Sequence, residues 1–425
     1  MSKKRLYFCA DLGTSSLKAA LVDSEGCLHG FARVYYANAF SASWLDAFYR
    51  AAEQLASSLA PAALVPVSAV CISGGGPTLA PVTGDNCKAA QSPRLQQRPL
   101  YWYDPLPVSS SNTTQGKKTL SLFLPKVKAF LDSDPQNFSR TKLFFSPQEW
   151  LSWKLGSRPV TVLPHDGYIP YYWDDDQCKS FGIDQELFPP FVKMGEIIGE
   201  FRPDESIKES PASKLLTPDI PLVAGAADFI MALIGTGTLE PGMACDRTGS
   251  SEGINYCTDT VPASLSDPRG FKPQIHLRLL PHALPGLWNL GAVIPKSGTL
   301  FEEYRASAGL SKKPYNELVK EIFADNSHPG KTVLETIGRS FVRALNDLEN
   351  SGCAIHKLIL SGGQSADPVW NQYKADICGK MLYVPEIIHA ELAGNAILCE
   401  AAFSGKSIRQ TAAEMIRVKE KYIPV

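Results

Sequence analysis

The chain has no apolar run approaching the roughly 20 residues that a membrane-spanning helix requires. It also has no excess of either charge: 42 Lys and Arg stand against 43 Asp and Glu in 425 residues. The first lack speaks against a membrane protein, and the second against a nucleic-acid binder, whose surface carries a basic excess. Its seven histidines never fall in His-x-x-x-His or His-Glu-x-x-His spacing, and none of its ten cysteines forms a Cys-x-x-Cys pair, so a zinc site is not expected. No Gly-x-x-x-x-Gly-Lys-Ser/Thr phosphate loop occurs. Cys9, Cys71 and Cys399 lie inside apolar runs as small hydrophobes. No signal-type apolar segment follows Met1-Ser-Lys-Lys-Arg5, so a reducing cytoplasm is the expected location.

What is present is an ordinary globular composition, 44% hydrophobic and 20% charged, long enough for two or three domains. The most informative stretch runs Tyr7-Phe-Cys-Ala-Asp11-Leu-Gly13-Thr14-Ser15-Ser16-Leu-Lys18. An apolar run ends on an aspartate, a small-residue turn follows, and a second apolar run returns. That is the layout of a β-hairpin whose tip can hold phosphate: glycine lets the backbone approach an anion, hydroxyls add donors and Lys18 adds a positive charge. Asp11 stands where a carboxylate could hold Mg²⁺ together with substrate phosphates. An ordinary hairpin with a Gly-Thr turn is the competing reading. About half the chain later, Cys245-Asp246-Arg-Thr248-Gly249-Ser250-Ser251 repeats the pattern of acid, turn and return, which suggests a duplicated domain.

Strands are expected at 5–12, 17–23, 27–35 and 67–73. Trp44, Leu45, Phe48, Ala51, Ala52, Leu55 and Leu59 recur at helical spacing and predict a helix over 41–60. Residues 83–118, rich in Gly, Pro, Ser, Asn and Thr, read as a loop or lid, with helices resuming near 119–133 and 147–155. A second unit begins at Pro221, with strands near 242–246, 252–257 and 287–294 and helices near 298–308 and 331–350. Residues 356–361 form a strand that runs into Gly362-Gly363, followed by helices from Trp370 to Gly379 and from Ala390 to Phe403. Trp370 is expected in the core. The domains are read as 1–221 and 222–425, with a last helix at about 408–419 able to pack back on the first. Asp174-Asp175-Asp176, near His165-Asp166, reads as a solvated turn because consecutive carboxylates point apart.

Asp11-Leu-Gly13-Thr14-Ser15-Ser16-x-Lys18, Ala224-Gly225-Ala-Ala-Asp228, Thr248-Gly249-Ser250-Ser251, Ser361-Gly362-Gly363-Gln364 and Glu391-Leu-Ala-Gly394-Asn-Ala396 occur in that order along the chain. The ordered set resembles the FGGY carbohydrate kinases, the sugar-kinase branch of the actin, heat-shock chaperone and hexokinase superfamily. The xylulokinase-like and gluconokinase-like enzymes are nearest in layout. The resemblance implies an α/β fold of two duplicated ribonuclease H-like (actin-like ATPase) domains with a nucleotide cleft between them. It further implies ATP and Mg²⁺ as cofactors, a small sugar or polyol as acceptor, and a homodimer; no nucleic acid or membrane partner is expected.

By that resemblance Asp228 is the catalytic base, although an aspartate opening a helix also serves as a plain cap. Asp11 organises Mg²⁺. Gly13, Thr14, Ser15 and Lys18 contact phosphates from one side, and Thr248, Gly249 and Ser250 from the other. Gly362, Gly363 and Gln364 meet the adenosine, while Gly75, Asp104 and Asp228 meet the sugar. Three departures stand out. Ser73-Gly74-Gly75-Gly76-Pro77-Thr78 replaces the family's Gly-Gln-x-His-Gly, and Trp102-Tyr103-Asp104-Pro105-Leu106 keeps the aspartate of Trp-x-Asp-x-Arg without the arginine. No Pro-Tyr-Leu-x-Gly-Glu-Arg block occurs, and Tyr304 to Leu334 reads as a short link. These leave a non-catalytic or weakly active sugar- or nucleotide-binding member of the same fold as the alternative.

Overall fold

In the computed structural model, residues 4–38, 41–60, 64–83, 98–105, 120–204, 207–262 and 277–425 are described, along with two short strands at Thr113–Thr114 and Lys117–Lys118. Most of the 83–118 stretch read as a loop lies outside the described residues. The chain divides into two units, residues 1–231 with 391–415 and residues 232–390 with 416–425.

Unit 1 is built on a six-stranded sheet: β1 (Leu6–Leu12), β2 (Ser16–Asp23), β3 (Leu28–Tyr35), β4 (Ala69–Gly74), β5 (Ile197–Glu200) and β6 (Pro221–Ala227), in the order β5-β6-β4-β1-β2-β3. β1, β4 and β6 run side by side in parallel, almost wholly buried, which matches their unbroken apolar sequences. β3, at the edge, alternates buried and exposed positions over its second half. Helix α1 (Ala42–Ser58) packs on β2 and β3 through Trp44, Phe48, Ala51, Ala52 and Leu55, the face its spacing predicted. Helix α2 (Pro147–Lys154) crosses β4 and β6.

Unit 2 repeats this plan. Its strands are β7 (Ala244–Thr248), β8 (Glu252–Thr258), β9 (Leu277–Pro281), β10 (Trp288–Ile294), β11 (Lys357–Ser361), β12 (Met381–Pro385) and β13 (Val418–Tyr422), in the order β9-β10-β8-β7-β11-β12-β13. Leaving out β9, the sense of every pairing matches that of unit 1 read from β3 to β5, but the outermost strand precedes its neighbour along the chain in unit 1 (β5 before β6) and follows it in unit 2 (β13 after β12). The duplication inferred from the two hairpins therefore extends to five strands of each sheet.

Helices α3 (Asp228–Gly235), α4 (Ser297–Ser307), α5 (Gly330–Asn350), α6 (Pro368–Cys378), α7 (Ala390–Ser404) and α8 (Ile408–Met415) complete the frame. In unit 2, Phe341, Leu345 and Leu348 of α5 meet Ile254, Leu290, Leu358 and Leu382 of the sheet. Trp370 lies in a second cluster with Phe301, Leu318, Ile322 and Ile337, in the core as expected.

Two expectations are corrected. The link from Tyr304 to Leu334 contains a helix, Tyr315–Ala324, whose Leu318, Val319 and Ile322 are buried. The final helix ends at Met415, and Val418–Tyr422 is instead an edge strand antiparallel to β12, since a free sheet edge outcompetes one further helical turn.

Gly225 shows how closely β6 and β4 approach: a Cβ there would fall on the Ile72 carbonyl oxygen. Gly225→Ala is therefore expected to destabilise the protein by about 1–3 kcal/mol, the usual cost of overpacking. A lowered urea midpoint checks this; an unchanged midpoint would mean that the strands can part.

Candidate functional site

Asp11 stands near the end of buried β1, where the hairpin register sets it opposite Lys18 on β2 and the parallel neighbour β4 sets Ser73 beside it. Ser73 Oγ donates to Asp11 Oδ1 at 2.8 Å, and the Lys18 ammonium lies 3.5 Å from Asp11 Oδ2. The same ammonium lies 3.9 Å from Glu391 Oε2, in the first turn of α7. One turn on, Asn395 donates to Ala10 O at 2.7 Å and to Ser73 Oγ at 3.2 Å, and accepts from Cys71 Sγ at 3.4 Å. Gly13 N–H closes the tip onto Ser16 O at 3.0 Å, leaving Thr14 and Ser15 exposed.

Burial pushes the Asp11 carboxyl up to about 6. Lys18 pulls it down, the Glu391 and Asp228 charges push it up, and the Ser73 hydrogen bond pulls it down. Asp11 and Glu391 thus share one ammonium, and the Asp228 charge acts on Asp11 as well. Such acidic surroundings fit a divalent cation, which needs only one or two protein carboxylates when phosphates complete its shell. Among the described residues no cluster of three or more His, Cys, Asp or Glu forms an all-protein metal cage.

Asp228 opens α3, partly buried, with Phe229 N–H donating to its Oδ1 at 2.6 Å. Gly75 N–H is tied to Leu12 O at 3.0 Å, so the glycine loop after β4 abuts the end of β1. Beside it, a Cβ on Gly74 would come within 2.8 Å of Gln148 Oε1, a buried oxygen with no hydrogen-bond partner among the described residues. Gln148 is positioned by α2, whose neighbouring Glu149 is wholly buried. Glu149 accepts from Ser146 N and Val162 N, both at 2.8 Å, and burial pushes its carboxyl up to about 7. Asp104 is engaged locally: its two oxygens meet the Arg98 guanidinium at 2.8 Å each, and Oδ2 accepts from Tyr101 N at 2.7 Å.

In unit 2 the turn Thr248–Ser251 joins β7 to β8. Gly249 N–H donates to Ser251 O at 2.9 Å, and Thr248 Oγ1 donates to Ser361 O at 2.8 Å. Gly362 adopts φ +93°, and a Cβ there would collide with the Thr248 carbonyl, so only glycine lets the turn after β11 close against the turn after β7. Gln364 follows in a short 3₁₀ turn (Gly363–Ala366), its Oε1 buried without a hydrogen-bond partner among the described residues. Thr248, Gly249, Gly362, Gly363 and Gln364 are thereby brought together in unit 2, as Asp11, Lys18, Gly75 and Asp228 are in unit 1.

Models of the FGGY family of carbohydrate kinases match the chain twice, the N-terminal domain over residues 6–235 and the C-terminal domain over residues 325–403. The chain belongs to the FGGY family of carbohydrate kinases. Among similar proteins, a xylulose kinase of Bacillus subtilis (strain 168) is 22% identical over 348 residues, covering 71% of this chain and 66% of its own length. A glycerol kinase of Rhodopirellula baltica is 23% identical over 303 residues, covering 61% and 53%. The chain spans about two thirds or less of the length of the curated relatives it matches. Among solved structures, ligand-bound xylulose kinase from Lactobacillus acidophilus superimposes with TM-score 0.75 at 14% identity, covering 99% of this chain and 94% of the other. Plasmodium falciparum glycerol kinase with ADP does so with TM-score 0.73 at 13% identity, over the same shares. These share the two-domain actin-like ATPase fold.

Reading this FGGY chain by motif missed Ser73, Asn395 and the Lys18 contact of Glu391. One signal was available: Ser73-Gly74-Gly75 after β4 recurs as Ser361-Gly362-Gly363 after β11, the same words at equivalent strand ends.

Because the Asp11 carboxyl is raised above its ordinary 3.8, its contribution to stability is fully present below about pH 4 and is lost as pH rises through about 6. In buffer free of divalent cations, Asp11→Asn should stabilise the protein at pH 8 by on the order of 2–3 kcal/mol and leave it unchanged at pH 4. Urea midpoints at the two pH values test this.

Proposed function

We propose that the protein is an ATP-dependent kinase that phosphorylates a hydroxyl of a small sugar or polyol. The observation carrying this reading is the interaction of Asp11, Lys18 and Asp228 in unit 1 of a chain of FGGY family membership. Xylulose and glycerol kinases among its relatives, and the ADP named with one structural neighbour, support the substrate class and the nucleotide.

Phosphoryl transfer asks for positioning, charge neutralisation and a base. Asp228 is the base: its carboxylate takes the proton of the attacking hydroxyl as the oxygen bonds to phosphorus and ADP departs. Its place at a helix N-terminus favours the negative charge it brings to that step. Asp11 holds Mg²⁺, which when bound supplies neutralisation of phosphate charge. Gly13, Thr14, Ser15 and Lys18 orient phosphates through backbone N–H, hydroxyl and ammonium donors. Thr248, Gly249 and Ser250 contact the nucleotide's other phosphates, and Gly362 and Gly363 lay bare backbone against the adenosine. Gln364 offers its unpartnered oxygen to the adenosine as well. Gly75 lines the sugar. Asp104, clamped by Arg98, contributes to the sugar side by fixing the loop it shares with Tyr101. The same reading makes a homodimer the assembly and a reducing cytoplasm the location.

ADP release from Mg·ATP across ketopentoses, polyols, deoxysugars and aldonates tests the proposal. One acceptor should stimulate release, and Asp228→Asn should lower that rate by about 10²–10⁴-fold. ATP binding with no acceptor-dependent release would instead support a non-catalytic sensor, and near-normal turnover of the variant would remove Asp228 from its role.

A further inference from the structure

Beneath the Thr248–Ser251 turn of unit 2 lies a group of charges that the proposed mechanism does not use. Asp246, Glu252 and Lys374 are each 1% exposed or less. The Lys374 ammonium, on α6, donates to Asp246 Oδ2 and, at 2.6 Å, to Glu252 Oε1; it also lies 3.9 Å from the centre of the Phe341 ring. Asp246 and Glu252 are the stems of the hairpin, two residues before Thr248 and one after Ser251. One cation therefore ties both stems to a single helix.

The ties continue outward. The second oxygen of Glu252 accepts from Ser297 Oγ at 2.6 Å, at the start of α4. There Thr299 donates to Ser250 O through its N–H at 3.1 Å and its Oγ1 at 3.2 Å, and Gly298 packs so tightly that a Cβ would strike the Gly249 carbonyl oxygen. From α6, Asn371 Nδ2 reaches Ser365 O at 2.8 Å and Asp367 caps Trp370 N at 2.8 Å, which ties the 363–366 turn to the same helix. Helix α6 is thus the anchor that the two glycine-rich turns share, with Lys374 holding the first of them.

Stability alone is a poor reason for such a cluster. Replacing a buried ionic set by apolar residues of similar volume is commonly neutral or stabilising, because three charges no longer need desolvation. What an apolar set lacks is direction: charge-assisted hydrogen bonds fix where the stems sit, whereas apolar contacts allow sliding. We propose that Lys374 is a positioning residue that holds the Thr248–Ser251 turn in its phosphate-binding conformation by clamping Asp246 and Glu252. This rests on the kinase reading above and adds a residue that touches neither nucleotide nor acceptor.

The test compares wild type with Lys374→Met and with the apolar triple Asp246→Leu/Glu252→Met/Lys374→Met. The single variant leaves two buried carboxylates facing each other and is expected to fold poorly, so the triple carries the decision. The triple should keep a urea midpoint equal to or above wild type, yet exchange its 248–251 amide hydrogens at least about tenfold faster. Its kcat/KM for ATP should fall on the order of 10²-fold, with the acceptor KM within about twofold, as misplacement of one substrate predicts. A folded triple with wild-type amide exchange and wild-type ADP affinity would overturn the proposal. If wild type itself binds no ADP, the kinase reading fails instead, and amide exchange still decides whether Lys374 braces the turn.

Discussion

A carboxylate that cannot be solvated governs the candidate site. Asp11 is 2% exposed near the end of a strand buried on both faces, and the cation beside it, Lys18, is shared with Glu391. Taking such a charge out of water is costly unless other groups compensate for it. The fold supplies partial compensation from three directions: the Ser73 hydroxyl from β4, the ammonium from β2, and, through Asn395 of α7, a fixed orientation for Ser73 itself. The remaining surplus of negative charge, to which Glu391 and Asp228 contribute, is what a divalent cation would relieve.

The two units show how one strand plan was put to two uses. In both, an acidic residue near the end of the first hairpin strand has a parallel neighbour that ends in Ser-Gly-Gly. In unit 1 the acid lies under an exposed tip and its lysine comes from the adjacent strand. In unit 2, Asp246 is turned onto α6, where it shares the Lys374 ammonium with Glu252; burial, with the Glu252 charge second, pushes the Asp246 carboxyl up to about 8. The two acids are not equivalent by register: Ser73 stands beside Asp11, whereas Ser361 stands beside Arg247, so Asp246 lies one residue earlier and faces the other side of its sheet, where it serves as an internal strut.

Much of this was legible in the residues. Unbroken apolar runs located β1 and β4, and a 3.6-residue period located α1, because those elements bury both faces or one and must be apolar there. The hairpin that brings Asp11 opposite Lys18 was legible because its two apolar runs flank a small-residue turn at Gly13. The short edge strand Val418–Tyr422 was not, since its Lys, Glu and Tyr residues carry no apolar signal and pairing with β12 alone decides it. The helix Tyr315–Ala324 carries its signal in the spacing of Leu318, Val319 and Ile322, which the missing family block obscures. Lys374 gave one faint sign, a lysine one helical turn from the core residue Trp370, but its partners lie more than a hundred residues away in sequence. Local pattern cannot report such a contact.

The most direct measurement is the binding of Mn²⁺, as a paramagnetic stand-in for Mg²⁺, to wild type and Asp11→Asn at pH 7.5 in the presence of ADP. The account predicts a protein-bound Mn²⁺ in the wild-type complex and an affinity weakened by at least about tenfold in the variant. Equal Mn²⁺ affinity in the two proteins, with ADP bound to both, would contradict the place given to Asp11.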